Sequence, residues 1–220
     1  MAQLYEQYRP KDWSEVTGQP RVVSKLMVLK RRGLAGRAYW ICGKSGTGKT
    51  TIGRLIAAEI ADELSVHELD ATGYMPSGVE VDARQMRCRS LTPPHGQAVI
   101  INEAHGLRND TIRKLLVTLE DIPEHATWIF TTTNEAQQGL FDTKIDASPL
   151  LSRCVELALQ SNCRSEFAAR AKMIAEDEGL GGATMADYEQ LVQNKDMNMR
   201  AVLQAVESGE MVRDVYSLIG

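Results

Sequence analysis

Apolar positions along the chain follow two rhythms. Five short runs are rich in β-branched, aromatic and aliphatic residues: "AYWIC" (38–42), "VHELD" (66–70), "QAVII" (97–101), "ATWIFTT" (126–132) and "RCVEL" (153–157). Their length and composition predict strands. Between them apolar residues recur at helical spacing. Val22, Leu26 and Leu29 follow Pro20, which opens a helix that Gly33 stops. Ile52, Leu55, Ile56 and Ile60 share one face, and so do Ile112, Leu115, Leu116 and Leu119 behind a capping Asn109. Strands alternating with helices predict an α/β fold: a five-stranded, mostly parallel sheet with right-handed crossovers and helices on both faces. From about Asn162 the strand rhythm stops. "RSEFAARAKMIAEDEG", "MADYEQLVQ" and "MRAVLQAVES" predict three helices, a small α-helical second domain. The expected division is therefore 1–161 and 162–220. "TGYMPSG" (72–78) and "EAQQGLFDTKIDASP" (135–149) read as loops.

A chain of 220 residues is long enough for one α/β domain and a small appendage. The net charge of −4 argues against a strongly basic nucleic-acid binder but leaves local basic patches open. The N-terminus carries no apolar leader and no run is long and apolar enough to span a bilayer, so a cytoplasmic location without membrane contact is expected. None of Cys42, Cys88, Cys154 and Cys163 forms a C-x-x-C pair, which predicts reduced thiols and no zinc cluster.

The first chemical motif is "GKSGTGKT" (43–50), which fits G-x-x-x-x-G-K-[ST]. It leaves a predicted strand and opens a predicted helix, as a phosphate cradle requires. Glycines let backbone N–H groups turn toward phosphate oxygens, and the positive end of the following helix faces the same anion. The candidate nucleotide-binding set is Gly43, Lys44, Ser45, Gly46, Thr47, Gly48, Lys49, Thr50 and Thr51. Lys49 would reach the β- and γ-phosphates of ATP, and Thr50 would hold Mg²⁺ through its hydroxyl.

The second is "VIINEAH" (99–105). In a P-loop nucleotidase a strand beside the P-loop strand delivers an acid to the metal shell. Here the amide Asn102 stands in that place, with Glu103 next to it. Glu103 is suited to orient or deprotonate an attacking water. Asn102 can accept a hydrogen bond from a metal-bound water or from Thr50, but it brings no charge to the cation. The expected loss is about 1–3 kcal/mol, which slows hydrolysis rather than removing it. On these grounds an aspartate at 102 would strengthen the metal shell.

Several segments together resemble one family. "YRPKDWSEVTGQ" (8–19), "HELDAT" (67–72), "EAHGLRNDTIRKLLVTLEDIPEHATWIFTTTN" (103–134) and "SRC" (152–154) occur in the order found in the ATPase subunits of sliding-clamp loaders, of the bacterial gamma/tau type and the replication factor C small-subunit type. The resemblance covers nearly the whole chain. It implies an AAA+ fold with an α-helical lid and an ATPase using ATP and Mg²⁺. It implies as partners other loader subunits or further copies of the chain, a sliding clamp and primer–template DNA. Arg9 and Val16 would lie near adenine and ribose. Asn134 would be sensor 1, Arg153 an arginine finger serving a neighbouring subunit, and Arg200 the lid's sensor 2. From the residues alone, Arg153 also reads as an exposed strand-start arginine, Asn134 as a turn cap and Arg200 as a helix-surface charge. Arg84, Arg87 and Arg89 would face DNA by resemblance; a solvated helix face is the alternative.

The chain departs from the family at Asn102, in lacking the bacterial zinc module, in a long 135–149 segment, and in ending after the lid without a collar domain. A nucleotide-dependent assembly module with vestigial hydrolysis is therefore a rival expectation. A P-loop small-molecule kinase is a third, and it fits Glu103, Asn134 and Arg153 less well.

Overall fold

The structure, a computed structural model, describes residues 3–133 and 148–212. Five strands form one all-parallel sheet: β1 (Arg37–Cys42), β2 (Val66–Asp70), β3 (Gln97–Asn102), β4 (Ala126–Thr132) and β5 (Cys154–Ala158). Their order across the sheet is β2-β3-β4-β1-β5. The five predicted strands are present within one residue at each end.

The strand interiors alternate between two faces. Ala38, Trp40, Val99, Ile101, Trp128 and Phe130 share one core with residues of α4 (Pro76–Gln85) and α5 (Asn109–Thr118), among them Val79, Ile112 and Leu115. Ile41, Ile100 and Ile129 point the other way, under α3 (Lys49–Ala58). There Gly53 brings the α3 backbone close to the sheet: an added Cβ would stand 3.2 Å from Ile129 Cγ2. Both faces of the sheet are thus covered at its centre, which explains why β1, β3 and β4 read as near-continuous apolar runs.

Helix α1 spans Leu4–Gln7, and α2 spans Pro20–Lys30. Gly33, at φ 86°, donates to Lys30 O at 3.0 Å and ends α2 as expected. The start of helix α4 was not expected, because 72–78 reads as a loop. Pro76 serves as a first-turn proline rather than as a breaker. Buried Asp82 on α4 lies 2.8 Å from His67 Nδ1 and accepts from Tyr74 Oη, tying the helix to β2. Asn109 is the first residue of α5 and not its cap; Arg108 occupies the cap position without a side-chain bond.

Helix α6 (Ser148–Ser152) precedes β5. The three C-terminal helices follow as α7 (Arg164–Asp177), α8 (Met185–Asn194) and α9 (Met199–Glu207). A complete capping box, Thr184 with Asp187, starts α8. Among the described residues the chain forms two compact units. One contains Arg21–Lys44 and Lys49–Leu159; the other contains the residues up to Pro20, Ser45–Gly48 and those from Gln160 onward. This grouping differs from a single cut after residue 161. Leu4 is buried in the helical core with Phe167, Tyr188 and Val202, and Tyr8 Oη donates to Glu178 Oε1 at 2.7 Å. Gly18, at φ 74°, lies so close to Cys163 that an added Cβ would be 2.7 Å from the cysteine Cβ. No helix among the described residues is long and apolar enough to cross a membrane.

Candidate functional site

Parallel strands present all their carboxyl ends on one edge, and ligands of such sheets bind outside that edge. β1 ends at Cys42 and passes into the glycine loop; β3 ends at Asn102 and β4 at Thr132. β3 is not beside β1, as the sequence suggested. β4 lies between them and adds a residue to the site: Thr131 Oγ1 donates to Asn102 Oδ1 at 3.0 Å. Burial pushes the thiol of Cys42 up, so the strand end beside the loop is neutral.

The loop is shaped for an anion. Gly46 and Gly48 adopt φ of 73° and 100°, a region open to glycine at no steric cost. Lys49 starts α3, is only 7% exposed, and donates from Nζ to Gly43 O at 3.1 Å and Lys44 O at 3.0 Å. A buried ammonium gripped by loop carbonyls is held where phosphate oxygens can join its shell.

Thr50 Oγ1 donates to Asn102 Oδ1 at 3.2 Å, so the hydroxyl and the amide expected at the metal shell are brought together. These are hard oxygen donors of the kind Mg²⁺ accepts, directly or through water. No group of three or more acidic, histidine or cysteine side chains that could cage a metal occurs among the described residues. The Thr50 and Asn102 oxygens are donors of the kind a Mg²⁺ ion carried by nucleotide phosphates uses, since such an ion needs only one or two protein oxygens.

Glu103 sits directly after the strand at φ 52°, left-handed for a non-glycine residue. Its Oε2 is 3.4 Å from His105 Nδ1, and Thr132 Oγ1 lies 3.4 Å from the same nitrogen. Sequence reading missed Glu68 and Arg54. Glu68 Oε1 accepts from Asn102 Nδ2 at 2.8 Å, and Arg54 Nε donates to Glu68 Oε2 at 2.7 Å. The signal was the polar residue inside "VHELD", which acquires meaning only through the β2–β3 register.

Arg153 is elsewhere. It precedes β5, at the opposite edge of the sheet, where Nη2 pairs with Glu120 Oε1 at 2.7 Å and Nη1 donates to Pro149 O at 2.9 Å. Asn134 lies outside the described residues. In the helical unit, Met199 N donates to Gly46 O at 3.2 Å, and the next residue, Arg200, holds its guanidinium 5.2 Å from the centroid of the Tyr5 ring. Val16 is half-buried at the end of a 3₁₀ turn. Arg9 bonds Glu6, while its buried Nε meets no acceptor among the described residues. Arg84, Arg87 and Arg89 lie at or beyond the end of α4; Arg84 is in its last turn and Arg87 pairs with Asp121 at 3.5 Å.

Residues 39–156 match the family model described as "ATPase family associated with various cellular activities (AAA)". The chain is 31% identical over 157 residues to DNA polymerase III subunit gamma/tau of Mycobacterium tuberculosis, covering 59% of this chain and 27% of that one. It is 28% identical over 187 residues to replication factor C small subunit 1 of Pyrobaculum aerophilum, covering 82% and 54%. With DNA polymerase III subunit tau of Escherichia coli the identity is 25% over 233 residues, covering 94% and 35%. The chain thus spans between about a quarter and a half of the length of these relatives. Among solved structures, the Thermotoga maritima RuvB Holliday junction branch migration motor superposes with a TM-score of 0.71 at 23% identity, covering 96% of this chain and 67% of that one, a likeness of fold.

Proposed function

We propose, since this chain belongs to the AAA family of ATPases, that it binds and hydrolyses ATP as a subunit of a machine that assembles a sliding clamp on primer–template DNA. The observation that carries the reading is the meeting of Lys49, Thr50, Asn102 and Glu103 at one sheet edge. Relatives named as DNA polymerase III gamma/tau and replication factor C subunits support the replication setting.

On this reading the glycine loop and Lys49 bind the β- and γ-phosphates. Thr50 and Asn102 would hold Mg²⁺, which would supply positive charge to offset the charge developing on the transferred group. Glu103 orients the attacking water and accepts its proton at a carboxylate oxygen. Asn134 and Arg153 are assigned to the γ-phosphate, Arg153 on a neighbouring subunit. Arg9, Val16 and Arg200 are assigned to the nucleotide by the clamp-loader resemblance alone. Arg84, Arg87 and Arg89 form the proposed basic contact to DNA phosphates.

Steady-state ATP hydrolysis, measured with and without primed DNA and candidate clamps, tests this. Stimulation by both together, abolished by Lys49→Ala, is expected. Nucleotide binding without stimulated turnover would instead favour an assembly module whose hydrolysis is vestigial, a reading that Asn102 in place of an acid supports.

A further inference from the structure

The amide at position 102 is not simply an acid lost. Its nitrogen faces a carboxylate, and a carboxylate can only accept, so the amide has one orientation. Asn102 Nδ2 donates to Glu68 Oε1 at 2.8 Å, and Oδ1 is left to accept from Thr50 Oγ1 at 3.2 Å and Thr131 Oγ1 at 3.0 Å. Glu68 is fixed in turn by a two-pronged contact from α3. Arg54 Nε donates to Oε2 at 2.7 Å and Nη2 to Oε1 at 3.1 Å. The chain of bonds runs from the first turns of the helix behind the phosphate loop, through β2, to the tip of β3.

We infer that Glu68 is the positioning residue of this site: held by Arg54, it turns the oxygen of Asn102 toward Thr50. The inference rests on the ATPase reading above for its metal, and on hydrogen-bond geometry alone for the pairing of Glu68 with Asn102. Glu68 then requires a donor at 102, because a carboxylate there has no hydrogen to give and would face the Glu68 carboxylate across one hydrogen-bond length. This changes the expectation from sequence that Asn102→Asp strengthens the shell. A glutamine at 68 cannot replace the acid by itself either. Glu68 uses both oxygens, one for Asn102 and Arg54 and the other for Arg54, and an amide has one oxygen. With both changes made, the bonds close again. The carboxylate introduced at 102 would accept from Thr50, Thr131 and the amide nitrogen introduced at 68, and the amide oxygen at 68 would accept from Arg54.

The experiment compares wild type, E68Q, N102D and the double variant E68Q/N102D by two measurements. One is the Kd of a fluorescent ATP analogue across a Mg²⁺ titration and in chelator. The other is thermal unfolding without nucleotide. E68Q should raise the Mg²⁺ concentration needed for tight binding by about tenfold, the usual cost of losing a residue that orients a metal-shell group. Its Kd in chelator should stay within about twofold, a split that a general loss of folding would not produce. N102D alone should unfold at lower temperature than wild type, and the double variant should recover both the midpoint and the Mg²⁺ dependence. If N102D and the double variant behave alike in both measurements, Glu68 does not act on position 102 and the inference falls. That pair carries the test even where E68Q is too unstable to purify. Absence of nucleotide binding by the wild-type chain would overturn the ATPase reading itself; wild-type binding that E68Q leaves unchanged at every Mg²⁺ concentration would overturn only the role of Glu68.

Discussion

Arg153 and Gly43 lie at opposite edges of one sheet. β1 and β5 run parallel in the register Ala38 with Cys154 through Cys42 with Ala158, so Arg153 precedes the paired residues and Gly43 follows them. Six residue steps at ~3.3 Å each separate the two by roughly 20 Å along the strands, farther than an arginine side chain extends. Arg153 is therefore out of reach of the phosphate loop of its own chain, and the proposed finger role is tested by supplying it from a neighbour. Mixing Arg153→Ala with Lys49→Ala chains is expected to restore turnover that neither shows alone, since one junction then combines an intact loop with an intact arginine. Activity should rise more steeply than linearly with protein concentration, and a non-hydrolysable ATP analogue should promote association, seen by sedimentation. Turnover strictly proportional to concentration, with no complementation, would remove Arg153 from the reaction.

Glu103 occupies a left-handed backbone conformation at φ 52°. For a residue with a Cβ this costs about 1–2 kcal/mol, and such positions persist where the surrounding fold enforces them. Glu103→Gln is expected to lower hydrolysis by about 10²-fold or more, the usual worth of a positioned base, while the nucleotide Kd changes little. Glu103→Gly should lose hydrolysis to the same extent yet keep or gain stability, by up to about 1 kcal/mol in denaturant unfolding. Equal hydrolysis by E103Q and wild type would show that another group handles the water.

The parts visible in the sequence were those written in local pattern. β1, β3 and β4 are apolar on both faces, so "AYWIC", "QAVII" and "ATWIFTT" could hardly be anything but buried strands. The loop at 43–50 carries its chemistry in adjacent residues. What escaped was long-range. The insertion of β4 between β1 and β3 leaves no local mark, and neither does the arrival of Arg54 and Glu68 beside Asn102. The start of α4 escaped for a different reason: among its apolar side chains only Val79 is buried, and Pro76 and Gly78 imitate a turn. The first twenty residues read as mixed because Leu4 packs with Phe167, Tyr188 and Val202, helix residues far away in sequence.

Asp62 clips two loops together. Its carboxylate accepts from Ser90 Oγ and Thr92 Oγ1, each at 2.6 Å, from Ser65 Oγ at 2.8 Å and from Leu64 N at 2.9 Å. These donors, the hydroxyls of Ser90 and Thr92 foremost, hold the carboxyl well below its ordinary value of 3.8. A group depressed on folding contributes stability above its unfolded value and loses it as pH falls through the folded one. The clip should therefore be intact at neutral pH and weaken progressively below 3.8. Asp62→Asn, whose amide nitrogen accepts nothing, should raise amide hydrogen exchange around residues 90–92 already at neutral pH and flatten its acid dependence. A wild-type exchange pattern in that variant at neutral pH would mean the hydroxyl contacts do not order the loop.

Gly46 is the position where the phosphate loop tolerates least. Its φ of 73° is left-handed, and a Cβ added there would stand 1.9 Å from Asn198 Oδ1 and 2.9 Å from Asn198 Cα. Asn198 is itself occupied: Oδ1 caps α9 by accepting from Ala201 N at 3.2 Å. Gly46→Ala must therefore strain the backbone and displace a helix cap together. The first effect alone costs about 1–2 kcal/mol. Loss of the cap, read separately from Asn198→Ala, costs about 1 kcal/mol. The double variant should be less damaged than the sum of the two, because the side-chain collision is gone while the φ strain and the close approach to the Asn198 backbone remain. Denaturant unfolding of the four chains gives the coupling as a double-mutant cycle, expected near ~1 kcal/mol in the relieving direction. Strict additivity would show that Gly46 and Asn198 do not touch in solution. A coupling of that size would make the glycine at 46 a packing requirement of α9 as well as a conformational requirement of the loop.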